Sequence, residues 1–276
     1  MKKKVSRNIK HRHVKKLSQN FLQDTNIARK IVDSLEISDP SLVIEIGAGS
    51  GILTQFLVNK AQQVISIEID THLAENLAKQ LGNPANLEII SCDFLKLDLK
   101  KIFLRFPDYH KIVIGNLPYH ITSPIIFKVL DYAPSIEQAV FMVQKEVGQR
   151  LASRPGSKEY GILSVFCQLY SKVDYLFTVP AHLFFPAPKV ESGVIRQIFK
   201  REAESCVENI ELFRKIVRHT FNQRRKMLRN TLSILFSQII LSNVNIDLTR
   251  RPETLSVEEF TKLANQIHQA LTRETL

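Results

Sequence analysis

An asparagine, a proline and a tyrosine follow an apolar run in the segment Asn116-Leu117-Pro118-Tyr119. The run before it, Ile112-Val113-Ile114, is typical of a buried strand. In open α/β sheets ligands bind beyond the carboxyl ends of the strands, so Asn116 and Tyr119 are predicted to project into a ligand crevice. An amide and an aromatic ring at such a place can hydrogen-bond to a flat ligand and stack on it. The alternative is an ordinary turn whose shape Pro118 fixes.

A glycine loop supplies the second group of candidate residues. Residues 42–46 are apolar enough for a buried strand, and they lead into Gly47-Ala48-Gly49-Ser50-Gly51 and then a helical pattern. Glu68 ends the next strand-like run, 21 residues after Gly47, where a carboxylate can accept hydrogen bonds from ribose hydroxyls. The loop has the pattern G-x-G-x-G rather than the G-x-G-x-x-G of a dinucleotide site, and the lysine of a Walker motif does not follow it. This pattern favours S-adenosylmethionine over NAD.

Three further positions suit the same ligand site, each with a simpler alternative. Asp93, at a third strand end, is placed to accept a hydrogen bond from the amine of a cofactor adenine, or to cap a turn. Gln19-Asn20-Phe21-Leu22 precedes a predicted helix and suits a lid, or an ordinary surface loop. Phe185 lies in a loop stiffened by prolines and suits an aromatic platform, or packing within that loop.

The elements that must position these residues alternate between strands and helices along most of the chain. This alternation predicts one parallel, doubly wound sheet of the Rossmann-like type. Residues 173–179 and 192–199 are predicted to form a long hairpin, and residues 202–208 a polar linker. We therefore expect an α/β methyltransferase domain at 17–201, after a basic tail at 1–16, and a small all-α domain at 202–276.

Positive charge is concentrated in two places. Residues 1–16 carry eight Lys or Arg and residues 214–229 carry seven, with no acid in either segment, whereas the formal net charge of the whole chain is +11. Two basic patches on a slightly acidic body are typical of a protein that binds a polyanion, and nucleic acid is the favoured partner. A solvated tail, a membrane-surface contact and a transit peptide are the alternatives.

The three cysteines, Cys92, Cys167 and Cys206, are far apart and lack the spacing of a metal or redox site. They are predicted to be buried thiols in a reducing compartment. No apolar run is long enough for a membrane span, and no signal peptide is evident, so a cytoplasmic protein that contacts no membrane is expected.

Several motifs, taken together and in order, resemble those of the ribosomal RNA adenine dimethyltransferase family, most closely its bacterial small-subunit branch. They are QNFL at 19–22, EIGAGSG at 45–51, Glu68, Asp93, NLPY at 116–119, FFPAPKVES at 184–192 and FNQRRKMLRNTL at 221–232. The resemblance implies S-adenosylmethionine contacts at Asn20, Leu22, Gly47, Gly49, Glu68, Asp93 and Asn116. It implies that the target adenine is received by Asn116, Leu117, Pro118, Tyr119 and Phe185. The C-terminal basic cluster, expected to bind RNA, is Arg218, Arg224, Arg225, Lys226 and Arg229.

The implied substrate is a pair of adjacent adenines in the loop of the last helix of 16S RNA, dimethylated within a pre-assembled small subunit by a monomeric enzyme that needs no metal. Two alternatives remain: a large-subunit adenine methylase of the macrolide-resistance type, and a non-catalytic assembly or RNA-binding factor on the same fold. One departure is Ser18, where the family usually has glycine. If that position needs positive φ, serine would be strained there and would alter the lid.

Overall fold

The computed structural model describes residues 20–201 and 206–274, within which seven strands form one sheet and two short strands pair separately. The predicted tail, Ser18 and the first residues of the predicted linker lie outside these ranges. The strands are β1 (Phe21–Leu22), β2 (Ser41–Ile46), β3 (Gln63–Glu68), β4 (Leu87–Ser91), β5 (His110–Asn116), β6 (Gln138–Gln144), β7 (Ser171–Val179), β8 (Phe184–Phe185) and β9 (Ser192–Phe199). The large sheet has the order β4-β3-β2-β5-β6-β9-β7, and β1 pairs with β8 outside it.

Five neighbouring strands, β4, β3, β2, β5 and β6, run parallel. Strand β2 is buried at every residue, its polar residues Ser41 and Glu45 included, which explains why apolar residues do not alternate with exposed polar ones. The register places Ile46 opposite both Ile67 and Gly115, so the carboxyl ends of β2, β3 and β5 meet at one edge. The residues that follow these strands, including Gly47 and Asn116, are therefore brought together at that edge.

The far edge of the sheet departs from the expectation of one parallel sheet. Strand β9 is antiparallel to β6, and β7 is antiparallel to β9. The predicted hairpin supplies these two strands, because a direct return of the chain places the strands that it joins antiparallel. The five strands that alternate with helices are thus parallel as predicted, and the last two form the predicted hairpin.

The helices in chain order are α1 (Thr25–Asp33), α2 (Thr54–Leu57), α3 (Thr71–Gln80), α4 (Leu99–Phe103), α5 (Thr122–Leu130), α6 (Lys145–Leu151), α7 (Ile162–Tyr170), α8 (Ile210–Asn222), α9 (Leu228–Leu232), α10 (Gln238–Ser242) and α11 (Val257–Glu274). Short 3₁₀ turns include Phe94–Lys96 and Tyr119–Ile121. None of the described helices combines the length and apolar character that a membrane crossing needs.

The core lies on both faces of the sheet. Ile112 and Ile114 of β5 pack in one buried cluster with Ile31 of α1, whereas Val113 packs in another cluster. Side chains of consecutive strand residues point to opposite faces, so this division shows that each face has its own apolar layer. Burial on both faces anchors β5, whose end carries Asn116.

The C-terminal helices belong to the larger of these two clusters. Phe213 of α8 contacts the ring of Phe166 of α7 edge to face, with 6.0 Å between centroids. Phe221 lies 6.1 Å from Tyr160 in a similar arrangement. Helix α8 therefore packs directly on the sheet-bearing part of the chain through apolar side chains, and the division into two domains at residue 202 stays a prediction.

The cysteine expectation is correct for one residue only. Cys167 is buried, Cys92 is half-buried and Cys206 is exposed. Burial raises the pKa of the Cys167 thiol to about 12. Cys206 lies within the predicted linker, residues 202–208, rather than in the core.

Candidate active site

The glycine loop after β2 adopts a backbone that its three glycines make possible. Gly47, Gly49 and Gly51 have φ values of +74°, +56° and +79°, a region that side chains other than glycine rarely adopt. A Cβ at Gly51 would also lie 2.4 Å from Leu77 Cδ1. The backbone N–H of Gly47 donates to the Ile67 carbonyl oxygen at 2.8 Å, which fixes the loop against β3.

Glu68, at the end of β3, is buried and bonded to the backbone on both carboxylate oxygens. Its Oε2 accepts from the Gly49 N–H at 2.8 Å, and its Oε1 accepts from the Asp70 N–H at 2.9 Å. A carboxylate oxygen has room for a second hydrogen bond. Glu68 is therefore held rigidly beside the glycine loop with acceptor capacity left for a ligand hydroxyl.

Glu45 is a second buried carboxylate at the base of the same loop. Its Oε2 accepts from the hydroxyls of Thr54 at 2.7 Å and Ser66 at 2.6 Å. Burial raises the pKa of Glu45 to about 6, and repulsion from Glu68 acts in the same direction, whereas the two hydroxyls partly oppose the rise. The sequence analysis assigned no role to Glu45, although it stands in the EIGAGSG motif.

Glu45 gives the first testable prediction. Because its folded-state pKa lies above the ordinary value of 4.5, the folded protein binds more protons than the unfolded chain between pH 4.5 and 6. Its contribution to stability therefore falls as pH rises through about 6, by about 2 kcal/mol in total. In Glu45→Gln one carbonyl oxygen can still accept from both hydroxyls, so the variant should gain about 1 kcal/mol relative to the wild type between pH 5 and 7.5, which is the part of the loss that falls above pH 5. Urea unfolding at both pH values measures it, and an unchanged difference would contradict the assignment.

The Asn116 corner is fixed by hydrogen bonds at each of its residues. The Asn116 side-chain Nδ2 donates to the Asn20 carbonyl oxygen at 3.1 Å, and its Oδ1 accepts no hydrogen bond from the described residues, 20–201 and 206–274. The Leu117 N–H donates to the Met142 carbonyl oxygen at 3.0 Å. The Tyr119 hydroxyl lies 2.8 Å from Ser192 Oγ. The amide and the ring are thus both oriented by neighbours from other segments.

A cleft at this edge of the sheet brings together most of the residues predicted from the sequence. Its lining includes the glycine loop, the end of β3, the segment before α1 and the corner after β5. The predicted residues found in it are Asn20, Leu22, Gly47, Gly49, Glu68, Asn116, Leu117, Pro118 and Tyr119.

Asp93 and Phe185 lie outside the lining of this cleft. Asp93 is one residue beyond Cys92, whose N–H donates to the Glu68 carbonyl oxygen at 3.1 Å, so it borders the cleft at the end of β4. Its Oδ1 accepts from the Leu95 N–H at 2.9 Å, the capping role given above as the alternative. Phe185 is 59% exposed, and in the β1–β8 pair it lies opposite Phe21.

Phe21 and Ser192 contact the site although the sequence analysis gave them no role of their own. A Cβ built on Gly49 would lie 3.0 Å from the ring atom Cε1 of Phe21, so this ring covers the glycine loop. Ser192, fully buried at the start of β9, reaches Tyr119. Phe21 belongs to the motif QNFL and Ser192 to the motif FFPAPKVES. Their place in these motifs is the feature of the sequence that could have indicated a role in the site.

The predicted RNA-binding cluster divides into exposed and engaged residues. Arg225, Lys226 and Arg229 are exposed. Arg224 is half-buried, forms an ion pair with Glu253 and donates to the Ser157 carbonyl oxygen at 3.0 Å. Arg218 is exposed, but its guanidinium carbon lies over the rings of Phe127 and Phe166, 5.7 and 5.8 Å from their centroids.

Residues 10–269 match the family described as ribosomal RNA adenine dimethylase. The chain belongs to this family. The family resemblance inferred from the sequence is therefore confirmed.

Curated relatives within this family are similar along most of their length. The Ribosomal RNA small subunit methyltransferase A of Phocaeicola vulgatus is 43% identical over 263 residues, covering 94% of this chain and 91% of that protein. The protein of the same name from Bacillus mycoides is 42% identical, covering 92% and 90%.

Two solved methyltransferase structures superpose on most of this chain. A dimethyladenosine transferase from Plasmodium falciparum superposes with a TM-score of 0.78 at 26% identity, covering 91% of this chain and 98% of that one. The 23S rRNA methyltransferase ErmE superposes with a TM-score of 0.69 at 27% identity, covering 91% and 100%.

The enzymes of this family use S-adenosylmethionine, and the cleft fits that molecule. A Cβ at Gly47 would meet only the Asn116 carbonyl oxygen, at 3.9 Å, so the backbone there is open to a ligand. The Glu68 carboxylate stands beside it as an acceptor for ribose hydroxyls. Two buried carboxylates, Glu45 and Glu68, also suit a ligand that carries positive charge on its sulfonium and amino groups.

Proposed function

We propose that this adenine dimethylase transfers methyl groups from S-adenosylmethionine to the N6 amines of two adjacent adenines in the loop of the 3′-terminal helix of 16S rRNA. The observation that carries the proposal is the fixed Asn116 amide, whose Oδ1 has no hydrogen-bond donor within the described part of the chain and lies in the same cleft as the glycine loop. The names of the most similar curated relatives support the small subunit as substrate. The product then has a role in ribosome biogenesis.

The Asn116 corner supplies what the chemistry of an adenine amine needs. The nitrogen lone pair of adenine is delocalised into the ring, so the amine is a poor nucleophile. Asn116 Oδ1 and the Leu117 carbonyl oxygen accept hydrogen bonds from the two N–H groups of the amine. They favour a pyramidal nitrogen whose lone pair points at the methyl group of the donor. Pro118 holds the turn and has no N–H to compete. Catalysis is then positioning and electrostatics, because these acceptors are preorganised.

The donor supplies an electrophilic methyl group on its sulfonium sulfur. Glu68 would accept hydrogen bonds from the ribose hydroxyls of the donor, and Asp93 would accept one from the amine of its adenine through Oδ2, since Oδ1 is bonded to the Leu95 N–H. Asn20, Leu22, Gly47 and Gly49, which line the cleft, would contact the rest of the donor. No covalent nucleophile is required.

The target base is held between aromatic rings after it leaves the RNA stack. Tyr119 stacks on one face of the adenine, and exposed Phe185 closes on the other when RNA is bound. Flipping a base is easiest from a single-stranded loop, which matches the proposed substrate. The pocket must also accept monomethyladenine, because each amine receives two methyl groups.

Ser192→Ala is expected to lower kcat/KM for RNA methylation about fivefold while leaving donor affinity unchanged. The reason is the loss of the 2.8 Å contact that orients the Tyr119 ring, a neutral hydrogen bond worth about 1 kcal/mol. Tyr119→Phe removes the same contact and should have a similar effect. The double variant should be no worse than either single one in a steady-state assay. Additive losses would contradict a shared role.

The C-terminal helices and their exposed cations are proposed to hold the RNA. Arg225, Lys226, Arg229 and Arg218 face solvent, where phosphate oxygens can reach them. We further propose that the enzyme acts as a monomer in the cytoplasm, on the pre-assembled small subunit.

The test is to mix purified protein with labelled methyl donor and unmethylated small or large ribosomal subunits. We expect label in two adjacent adenines of 16S RNA and none in 23S RNA. Label only in the large subunit would favour the alternative large-subunit methylase of the macrolide-resistance type. The 23S rRNA methyltransferase ErmE has a similar fold. Absence of S-adenosylmethionine binding by calorimetry would instead favour a non-catalytic factor.

A further inference from the structure

Lys128 lies on α5, the helix that follows the Asn116 corner, and reaches across to the turn that follows β4. Its Nζ donates to the carbonyl oxygens of Phe94 at 2.7 Å and Leu95 at 2.9 Å, and also to that of Leu97. An ammonium group has three N–H donors, and each finds one backbone acceptor here. The charge also lies 5.2 Å from the centroid of the Phe94 ring. Lys128 is therefore engaged with one short turn.

The same turn is tied to Asp93 from its other end. The Leu95 N–H donates to Asp93 Oδ1 at 2.9 Å, while the preceding Cys92 N–H donates to the Glu68 carbonyl oxygen at 3.1 Å. The turn has only three residues, so it has few hydrogen bonds of its own with which to hold its shape. The direction of the Asp93 carboxylate thus depends on the position of this turn. Lys128 stabilises that position through its hydrogen bonds to the carbonyl oxygens of the turn.

Helix α5 contacts the target corner as well. Thr122, its first residue, donates through Oγ1 to the Pro118 carbonyl oxygen at 3.0 Å. One short helix is therefore anchored to the Asn-Leu-Pro-Tyr corner at its start and to the Asp93 turn near its end. This arrangement fixes the distance between the acceptors for the target amine and the carboxylate at the end of β4.

We infer that Lys128 is a positioning residue for adenine recognition in the donor site: by holding the turn, it orients Asp93 toward the donor's exocyclic amine. The inference rests on the proposed function and on the role given there to Asp93. Lys128 touches neither reacting atom, and its effect is on the choice of donor base. Loss of the three carbonyl contacts would let the turn shift and would weaken the distinction between adenine and a base without that amine.

The test compares the binding of S-adenosylhomocysteine and S-inosylhomocysteine, in which a carbonyl oxygen replaces the exocyclic amine and N1 of the base carries a proton. Calorimetry with the wild type should show at least tenfold tighter binding of the adenine compound, because one hydrogen bond to a charged acceptor is lost in the other. In Lys128→Met this preference should fall at least severalfold. Lys128→Arg keeps the charge, but its planar fork does not match three acceptors around one nitrogen, so it should also lower the preference.

A matched control is Lys111→Met. Lys111, the second residue of β5, also donates from Nζ to a backbone carbonyl oxygen, that of Pro107 at 2.6 Å. Pro107 lies just before β5 and outside the turn that follows Asp93. Lys111→Met should leave the preference unchanged. Asp93→Ala should abolish the preference, and adding Lys128→Met to it should cause no further change. A uniform weakening of both ligands by Lys128→Met, or a wild type without preference, would overturn the inference. Failure of the wild type to bind S-adenosylhomocysteine would instead refute the proposed function.

Discussion

Replacement of Asn116 by alanine should lower the rate of adenine methylation at least a hundredfold while leaving the fold and RNA affinity nearly intact. In the proposed reaction Asn116 Oδ1 accepts a hydrogen bond from the target amine. Removal of one preorganised hydrogen-bonding group from a catalytic site typically costs about 10² to 10³ in kcat. This is the largest effect that we expect from any single side chain of the cleft.

The orientation of the amide explains why the effect should fall on kcat. Asn116 Nδ2 is occupied by the Asn20 carbonyl oxygen at 3.1 Å, so the amide cannot turn freely and its oxygen stays in place before substrate arrives. Alanine would remove the acceptor and would leave the Asn20 carbonyl oxygen without this donor. The contact with Asn20 is part of the segment before α1, so a modest loss of donor affinity is expected as well.

Single-turnover methylation of unmethylated small subunits at saturating donor measures the chemical step. Asn76→Ala is the matched control, because Asn76 also donates from Nδ2 to a backbone carbonyl oxygen, that of His72 at 2.7 Å, on an exposed face of α3. It should be as active as the wild type. If Asn116→Ala methylated at the normal rate, the acceptor role given to this residue would be wrong.

The part of the site that the sequence predicted is the part built from single segments. Strand, glycine loop and helix follow one another directly, so the positive φ values at Gly47 and Gly49 and the place of Glu68 follow from local order. The Asn116 corner is likewise local, since it begins where a buried strand ends. Parallel strands then bring these segments to one edge without further information.

The rest of the site depends on contacts between distant segments. Nothing in the sequence indicates that Ser192 meets Tyr119, or that Lys128 meets the carbonyl oxygens after Asp93, because each contact requires the order of the strands and the packing of α5. The same holds for Arg224, which by composition belongs to the basic cluster. Its partner Glu253 lies 29 residues away, and only the folded helices bring the two together.

The second large effect is expected from the exposed cations of the C-terminal helices. The triple replacement Arg225→Ala, Lys226→Ala and Arg229→Ala should weaken RNA binding about a hundredfold at 0.15 M salt. These three side chains are exposed in a segment without acids, so their charges are available to phosphate groups. Each phosphate contact releases about 0.7 to 0.9 counterions, and the slope of log affinity against log salt should become shallower by about 2.

Binding to a 16S RNA fragment, measured by fluorescence anisotropy across a salt series, tests this expectation. The triple replacement of Lys79, Lys100 and Lys101 by alanine removes the same charge from exposed positions on the sheet-bearing part of the chain. It should leave the slope nearly unchanged, which separates local contact from the effect of net charge. Equal losses of RNA affinity in both triple variants would show that binding depends only on the net charge of the protein.

Arg224→Ala makes the distinction sharper, because it removes a cation of the same segment that the fold already uses. Arg224 binds Glu253 and the Ser157 carbonyl oxygen, which ties α8 to the loop before α7. Its loss should lower the free energy of unfolding by about 1 to 2 kcal/mol and leave the salt slope close to that of the wild type. A large change in slope with unchanged stability would mean that Arg224 exchanges Glu253 for phosphate when RNA binds, and that the C-terminal helices shift against the methyltransferase sheet as they engage the substrate.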